Sequence, residues 1–166
     1  MSRILRGCAT LLLAGVVAAA VGCKENKPSD MSKSGGGASL YDRIGGHEAV
    51  VKVVDGFVAK AAADPKVNFT RTNPMHPNHW DPSADDNMAR LKKHLVQFIE
   101  MAAGGPQKYE GRSMEEVHKG MEITEAEFSA AAEDLKQVLM DAGVPQREQD
   151  DLMAAVGGTK GSIVGK

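Results

Sequence analysis

Residues 104–124 read GGPQKYEGRSMEEVHKGMEIT, and the reading of the whole chain turns on them. A Gly-Gly-Pro break opens the stretch, Tyr109 and Gly111-Arg112 follow, and then comes a short helix that carries His118 and closes at Gly120. Met114, Val117, His118 and Met121 fall at i, i+3, i+4 and i+7, so His118 points the same way as its apolar neighbours. An imidazole aimed into an apolar interior needs a partner, because a buried polar group left unpaired costs about 1–3 kcal/mol. Two readings stand at this point. The simpler one is a core histidine hydrogen-bonded to a backbone carbonyl; the other is a metal ligand.

Upstream, a long helix is expected over about residues 84–103, with Asp85 or Asp86 near its start. Its apolar stripe is Leu91, His94, Leu95, Phe98, Ile99 and Ala102, while Lys92, Lys93, Gln97 and Glu100 fall mostly outside it. His94 is thus a second histidine on an apolar face, open to the same two readings. Before it, residues 66–86 are irregular and rich in Asn, Pro and Asp, a length uncommon in compact domains unless it is functional or mobile. They include His76 and His79, which read as a solvated loop, since Pro77 spoils helical geometry between them and no third ligand is near. An earlier helix runs from His47 through Val50, Val53, Val54, Phe57, Val58 and Ala61, and Asp64-Pro65 ends it. His47, at its start, reads as exposed. A short helical turn over residues 39–44 precedes Gly45-Gly46.

Downstream, Thr124 with Glu127 three residues later is a capping-box arrangement. That helix continues through Phe128, Ala131, Leu135, Val138 and Leu139 to Gly143. Pro145 begins the last helix, with Leu152, Met153 and Val156 inside, and Gly157-Gly158 close it. No strand alternation and no internal repeat occurs, so the expected class is all-α.

The 166 residues divide into an amino-terminal signal (1–22), a flexible tether (23–38), the folded domain (39–158) and a loose tail (159–166). Arg3 and Arg6 precede an apolar run over residues 9–21, the layout of a secretory signal and too short for a standard transmembrane helix of about 20 residues. Ala20-Val21-Gly22-Cys23 resembles a bacterial lipobox, which implies a membrane anchor at Cys23 and a place in the cell envelope, periplasmic or outer-surface; Lys24 after it favours an outer membrane. Plain signal cleavage is the alternative. Cys8 lies in the removed segment, so the mature chain forms no internal disulfide. In an oxidising compartment the core or a cofactor must then supply the stability. Losing residues 1–22 removes two arginines and no acids and takes the net charge from −2 to −4, which gives nucleic-acid binding no support. One Trp, two Tyr and four Phe make the core aliphatic and methionine-rich.

Zinc would need further Cys, His, Asp or Glu ligands beside His94 or His118, and neither stripe offers them, since the acids read as outer-face residues. A haem needs only one or two axial ligands from the protein, because its porphyrin supplies four nitrogens. Ser/His/Asp order, a phosphate-cradling glycine loop and HExxH are all missing.

Five runs resemble the group I truncated haemoglobins: LYDRIGGHEAV at 40–50, ADPKV at 63–67, MARLKKH at 88–94, the stretch at 104–124, and DAGVP at 141–145. The resemblance covers residues 39–158. It implies a two-over-two helical sandwich around one haem b per chain, with Gly45-Gly46 and Gly104-Gly105 as hinges. It makes His118 the proximal iron ligand with Val117 beside it, and gives Phe69 and Phe98 as haem-packing residues. His94 falls where some members carry a distal histidine that binds iron. Val58 stands where the family usually has a tyrosine, and Leu91 and Leu95 stand where polar groups are often found. Those changes imply weaker oxygen binding and faster oxidation of the iron. The function implied is binding of oxygen or another diatomic gas, with a role in enzymatic turnover left open. The alternatives are a His94/His118 electron-transfer or nitric-oxide-handling protein served by a redox partner in the envelope, and a haem-free helical interaction module.

Overall fold

Three helix starts in this chain use the same device. Ser39, Ser113 and Thr124 each accept a hydrogen bond from the backbone N–H three residues on, while Asp42, Glu116 and Glu127 reach back to the cap's own N–H. Each box satisfies two backbone donors that a helix start would otherwise leave open. They launch α1 (Leu40–Arg43), α4 (Met114–His118) and α5 (Glu125–Asp141). The longer α2 (Gly46–Ala63), α3 (Asn87–Ala102) and α6 (Gln146–Gly157) start without a side-chain cap, and a 3₁₀ turn over Lys160–Ser162 follows α6. The computed structural model describes residues 37–70, 81–84 and 86–166. The signal, the Cys23 anchor, most of the tether, Asp85 and the His76–His79 loop lie outside the described residues. Among the described residues, no helix is long and apolar enough to cross a membrane, and one isolated bridge, Ile123 with Val164, is the extent of strand pairing.

Helix α2 packs on both α3 and α5, and α5 packs on α6, so the pair α2/α3 lies against the pair α5/α6. Their shared core is Val50, Val53, Val54 and Val58 from α2, Ile99 from α3, Leu135 and Leu139 from α5, and Leu152 from α6. The 3.6-residue stripes of the sequence meet there, as the helical spacing requires. Helix α3 begins at Asn87 rather than near residue 84, because Asp86 takes a left-handed backbone (φ 53°) just before it.

The expectation that acids sit on outer faces is corrected at three positions. Glu100, Asp134 and Glu148 are buried. At Glu100 the reason is local. Gly105 N donates to the Glu100 carbonyl (2.7 Å) and Tyr41 N to the Ala103 carbonyl (2.9 Å), which folds α1 and the glycine break over the end of α3. A Cβ on Gly105 would lie 2.8 Å from the Tyr41 ring, so only glycine fits this crossing. The Glu100 side chain is 0% exposed and meets His47 Nδ1 at 2.6 Å, while His47 is 59% exposed. His47 is therefore at the surface, as its sequence position suggests, but it is the partner of a buried acid. Asp134 lies 3.7 Å from Lys60 Nζ.

Glu148 anchors α6 to α1. Arg43 donates from Nε to Glu148 (2.9 Å) and from Nη2 to Asp151 (2.6 Å). The Arg43 hydrogen bond holds the Glu148 carboxyl below the usual carboxylate range, with burial opposing it. A carboxyl depressed in the folded state contributes stability above its unfolded value, about 4.3, and loses it as the pH falls through the folded value. Arg43→Met is expected to shrink the loss of stability between neutral pH and about pH 3. Thermal melts across that range test this, and an acid limb as steep as the wild type's would refute it.

The tail is corrected as well. Residues 159–166 are not loose: Thr159 Oγ1 donates to Val156 O (2.7 Å), Gly165 N to Ile123 O (2.9 Å), and Glu122 N to Lys166 O (2.8 Å). Lys160 Nζ also reaches Glu125 at 3.0 Å. Ile163 supplies an apolar contact that a purely polar tail would lack, by lining the interior cavity.

Candidate functional site

Helix α4 is five residues long, and its own backbone aims its histidine. His118 Nδ1 lies 2.7 Å from Met114 O. A carbonyl only accepts, so the Nδ1–H donates and Nε2 carries the ring's lone pair. A ring held in this tautomer by a backbone carbonyl is the arrangement in which histidine ligates metals. The first reading of His118, a histidine bonded to a carbonyl, and the second, a ligand, are thus compatible.

His118 lines a cavity of about 310 Å³ between the two helix pairs. That falls in the range of small-molecule sites, about 300–1,000 Å³. Phe57 of α2 lines it, with Val67, Asn68 and Phe69 from the turn after that helix. Helix α3 gives Leu91, Leu95, Phe98 and Ile99; α5 gives Glu127, Phe128, Ala131 and Leu135. Met114, Met121 and Ile123 flank His118, and Val156, Thr159 and Ile163 close the far end. The chain has four phenylalanines, and all of them line this cavity. The Glu127 carboxylate on its wall is hydrogen-bonded by Asn68 Nδ2 (2.8 Å), Thr124 N (2.7 Å) and the Thr124 hydroxyl (3.0 Å).

The residues named from the sequence separate into two sets. Phe69, Leu91, Leu95, Phe98 and His118 meet around the cavity. Val58, Val117 and His94 are not in its lining. Val58 is buried in the core cluster shared by α2, α3, α5 and α6, and Val117 is half-buried beside His118. His94 turns its ring edge to Tyr109, with centroids 5.9 Å apart and planes at 73°, and Tyr109 meets Phe98 in the same way at 5.9 Å and 82°. Burial pushes the Tyr109 hydroxyl above its ordinary range, with Arg112 opposing.

Phe57, Phe128, Thr159 and Ile163 line the cavity without having been assigned to a site. For the two phenylalanines a signal existed: in a chain this poor in aromatics, large rings on stripes facing one interior point to one occupant. For Thr159 and Ile163 none existed, since their role depends on the fold-back of the tail.

The donor set decides what this cavity suits. Among the described residues, no cluster of three His, Cys, Asp or Glu side chains could hold a bare metal ion. One imidazole on a mostly apolar, phenylalanine-walled cavity, whose Glu127 carboxylate is already hydrogen-bonded by Asn68 and Thr124, suits a flat apolar cofactor that brings its own equatorial ligands to a metal. The residues fit such a group.

The family model described as bacterial-like globin matches residues 39–164. The group 1 truncated hemoglobin GlbN of Mycolicibacterium paratuberculosis is 39% identical over 121 residues, which is 72% of this chain and 79% of that one. The corresponding protein of Synechocystis sp. is 33% identical over 129 residues, 75% of this chain and 91% of that one. Among solved structures, the Fe(III) form of truncated hemoglobin from Tetrahymena pyriformis superposes with a TM-score of 0.66 at 28% identity, over 78% of this chain and 100% of that one. The 2/2 hemoglobin of Synechococcus sp., in the cyanomet state with covalently attached heme, gives 0.65 at 31% identity over the same shares, 78% and 100%.

Proposed function

Because the chain belongs to the bacterial-like globin family, matched over residues 39–164, we propose that it holds one haem b in the cavity and binds a diatomic gas there. When bound, haem supplies an iron with four equatorial nitrogens and axial positions for a protein ligand and a gas. In this reading His118 would hold the iron, and Met114 O fixes its tautomer. The observation that carries the proposal is that aimed imidazole on an apolar cavity lined by all four phenylalanines.

The remaining residues bias which gas is held. Leu91, Leu95, Phe98 and Ile99 form the α3 wall, and none has a hydrogen-bond donor in its side chain. Bound oxygen depends on distal donors far more than carbon monoxide does, since distal polarity and donors select among haem ligands and reactions. The chain accordingly reads as a binder of carbon monoxide or nitric oxide that holds oxygen weakly. The envelope address is carried by the amino-terminal sequence, not by the fold.

Adding haemin to the purified full chain is expected to produce a Soret band at one equivalent per chain. The reduced protein should take up carbon monoxide fully, yet turn ferric quickly in air. No Soret band would sink the haem reading. A long-lived oxygen complex would overturn the ligand preference alone.

A further inference from the structure

His94 stands beside the cavity without entering it, and one short segment holds it there. On the projection of α3 it lies next to Leu91 and Phe98, both of which reach the cavity, so it occupies the edge of the lining face. Its Nδ1 is buried with no hydrogen-bond partner among the described residues. No hydrogen bond at that nitrogen pins the ring, and a buried polar atom without a partner favours leaving for a place that offers one. The ring meets the edge of Tyr109, and Glu110 is near enough to interact with it electrostatically.

Tyr109 is itself firmly seated. A Cβ on Gly111 would lie 2.3 Å from the Tyr109 hydroxyl oxygen and 2.4 Å from Cζ, so the phenol ring occupies the space that any other side chain at 111 would need. Between them, Glu110 is clamped to the same helix: Gln97 Nε2 donates to its carboxylate (2.9 Å) and Lys93 Nζ lies 3.1 Å away. Lys93, His94, Gln97 and Phe98 are thus all engaged by Tyr109 and Glu110.

We propose that Tyr109, seated on Gly111, is a positioning residue that holds His94 out of the cavity and so keeps the distal axial position open for a gas. This rests on the haem reading above. The ring does the holding, since the edge-to-face contact needs an aromatic edge rather than the hydroxyl. Taking the ring away leaves an imidazole with a buried, unpartnered nitrogen beside a metal that accepts one, and His94 becomes the competing ligand.

The ferrous visible spectrum of the haemin-loaded full chain reads this directly. The wild type and Tyr109→Phe should be five-coordinate and high-spin, with one broad visible band. Tyr109→Ala should turn six-coordinate and low-spin, with sharp bands, and Gly111→Ala should follow it by displacing the ring. Adding His94→Ala to Tyr109→Ala should restore the broad band, which a general loosening of the site would not do. If His94 holds the iron about 90% of the time, the apparent carbon monoxide affinity of Tyr109→Ala falls about tenfold. Tyr109→Leu, which keeps the apolar bulk, guards against a variant that fails to fold and should also turn low-spin. A wild type already ligated by His94 would overturn the proposal, as would folded Tyr109→Ala and Tyr109→Leu chains that stay five-coordinate. A wild type with no Soret band would overturn the haem reading first and this proposal with it.

Discussion

His118→Ala is expected to abolish stable haem retention while leaving the apoprotein folded. Losing a partner that merely orients a metal ligand weakens metal binding by about 10–100-fold. Losing the ligand itself should exceed the upper end of that range, because among the described residues no other imidazole lines the cavity. The change removes the hydrogen bond to Met114 O, worth about 0.5–1.5 kcal/mol net, at the end of a five-residue helix. The capping box at Ser113 and the core residues of α2, α5 and α6 stay intact. The comparison to make is a haemin titration with an apoprotein melt alongside. Free imidazole should partly restore the Soret band by entering the space left by the ring. Tight haem binding by His118→Ala would reject His118 as the axial residue, and an apoprotein that fails to melt cooperatively would show that its role is in the fold instead.

Much of this architecture can be read from local chemistry. Thr124 with Glu127 announces α5, Gly143 and Pro145 separate it from α6, and the stripe Leu91, Leu95, Phe98 does reach the cavity. Each is a short-range rule: a cap, a break, a period. The failures have a common cause, which is chain brought in from elsewhere. A helical wheel places Glu100 outside the stripe, yet α1 and Gly105 cover it and His47 meets its carboxylate from 53 residues away. The wheel also puts His94 in the apolar stripe, and nothing in α3 alone says that Tyr109, fifteen residues on, covers that side. Val58 is buried as its stripe requires, but burial does not distinguish the shared helical core from the cavity beside it. Periodicity gives the direction of a side chain; which neighbour receives it is decided by tertiary packing.

The tail is the strongest case, and it yields the second large effect: a chain ending at residue 158 should lose haem about 10–100-fold faster than the full chain. Thr159 and Ile163 form the end of the cavity beyond Val156, so their removal opens one wall to water. The same segment holds the backbone just after the His118 helix, through Gly165 N to Ile123 O and Glu122 N to Lys166 O. An isoleucine side chain contributes about 1.5–3 kcal/mol when fully buried, and each 1.4 kcal/mol is a factor of ten, which sets the expected range. Ile163→Ala removes only part of a half-buried side chain and should give the lower end, roughly tenfold. Lys160→Ala breaks an ion pair with an exposed Glu125, of the kind worth about 0–1 kcal/mol, and should change little. Transfer of haem to excess apomyoglobin, followed by absorbance, measures all three. Wild-type rates in both the truncated chain and Ile163→Ala would mean that the cavity closes without residues 159–166. A faster loss in the truncated chain with Ile163→Ala unchanged would assign the effect to the two backbone hydrogen bonds and not to the wall.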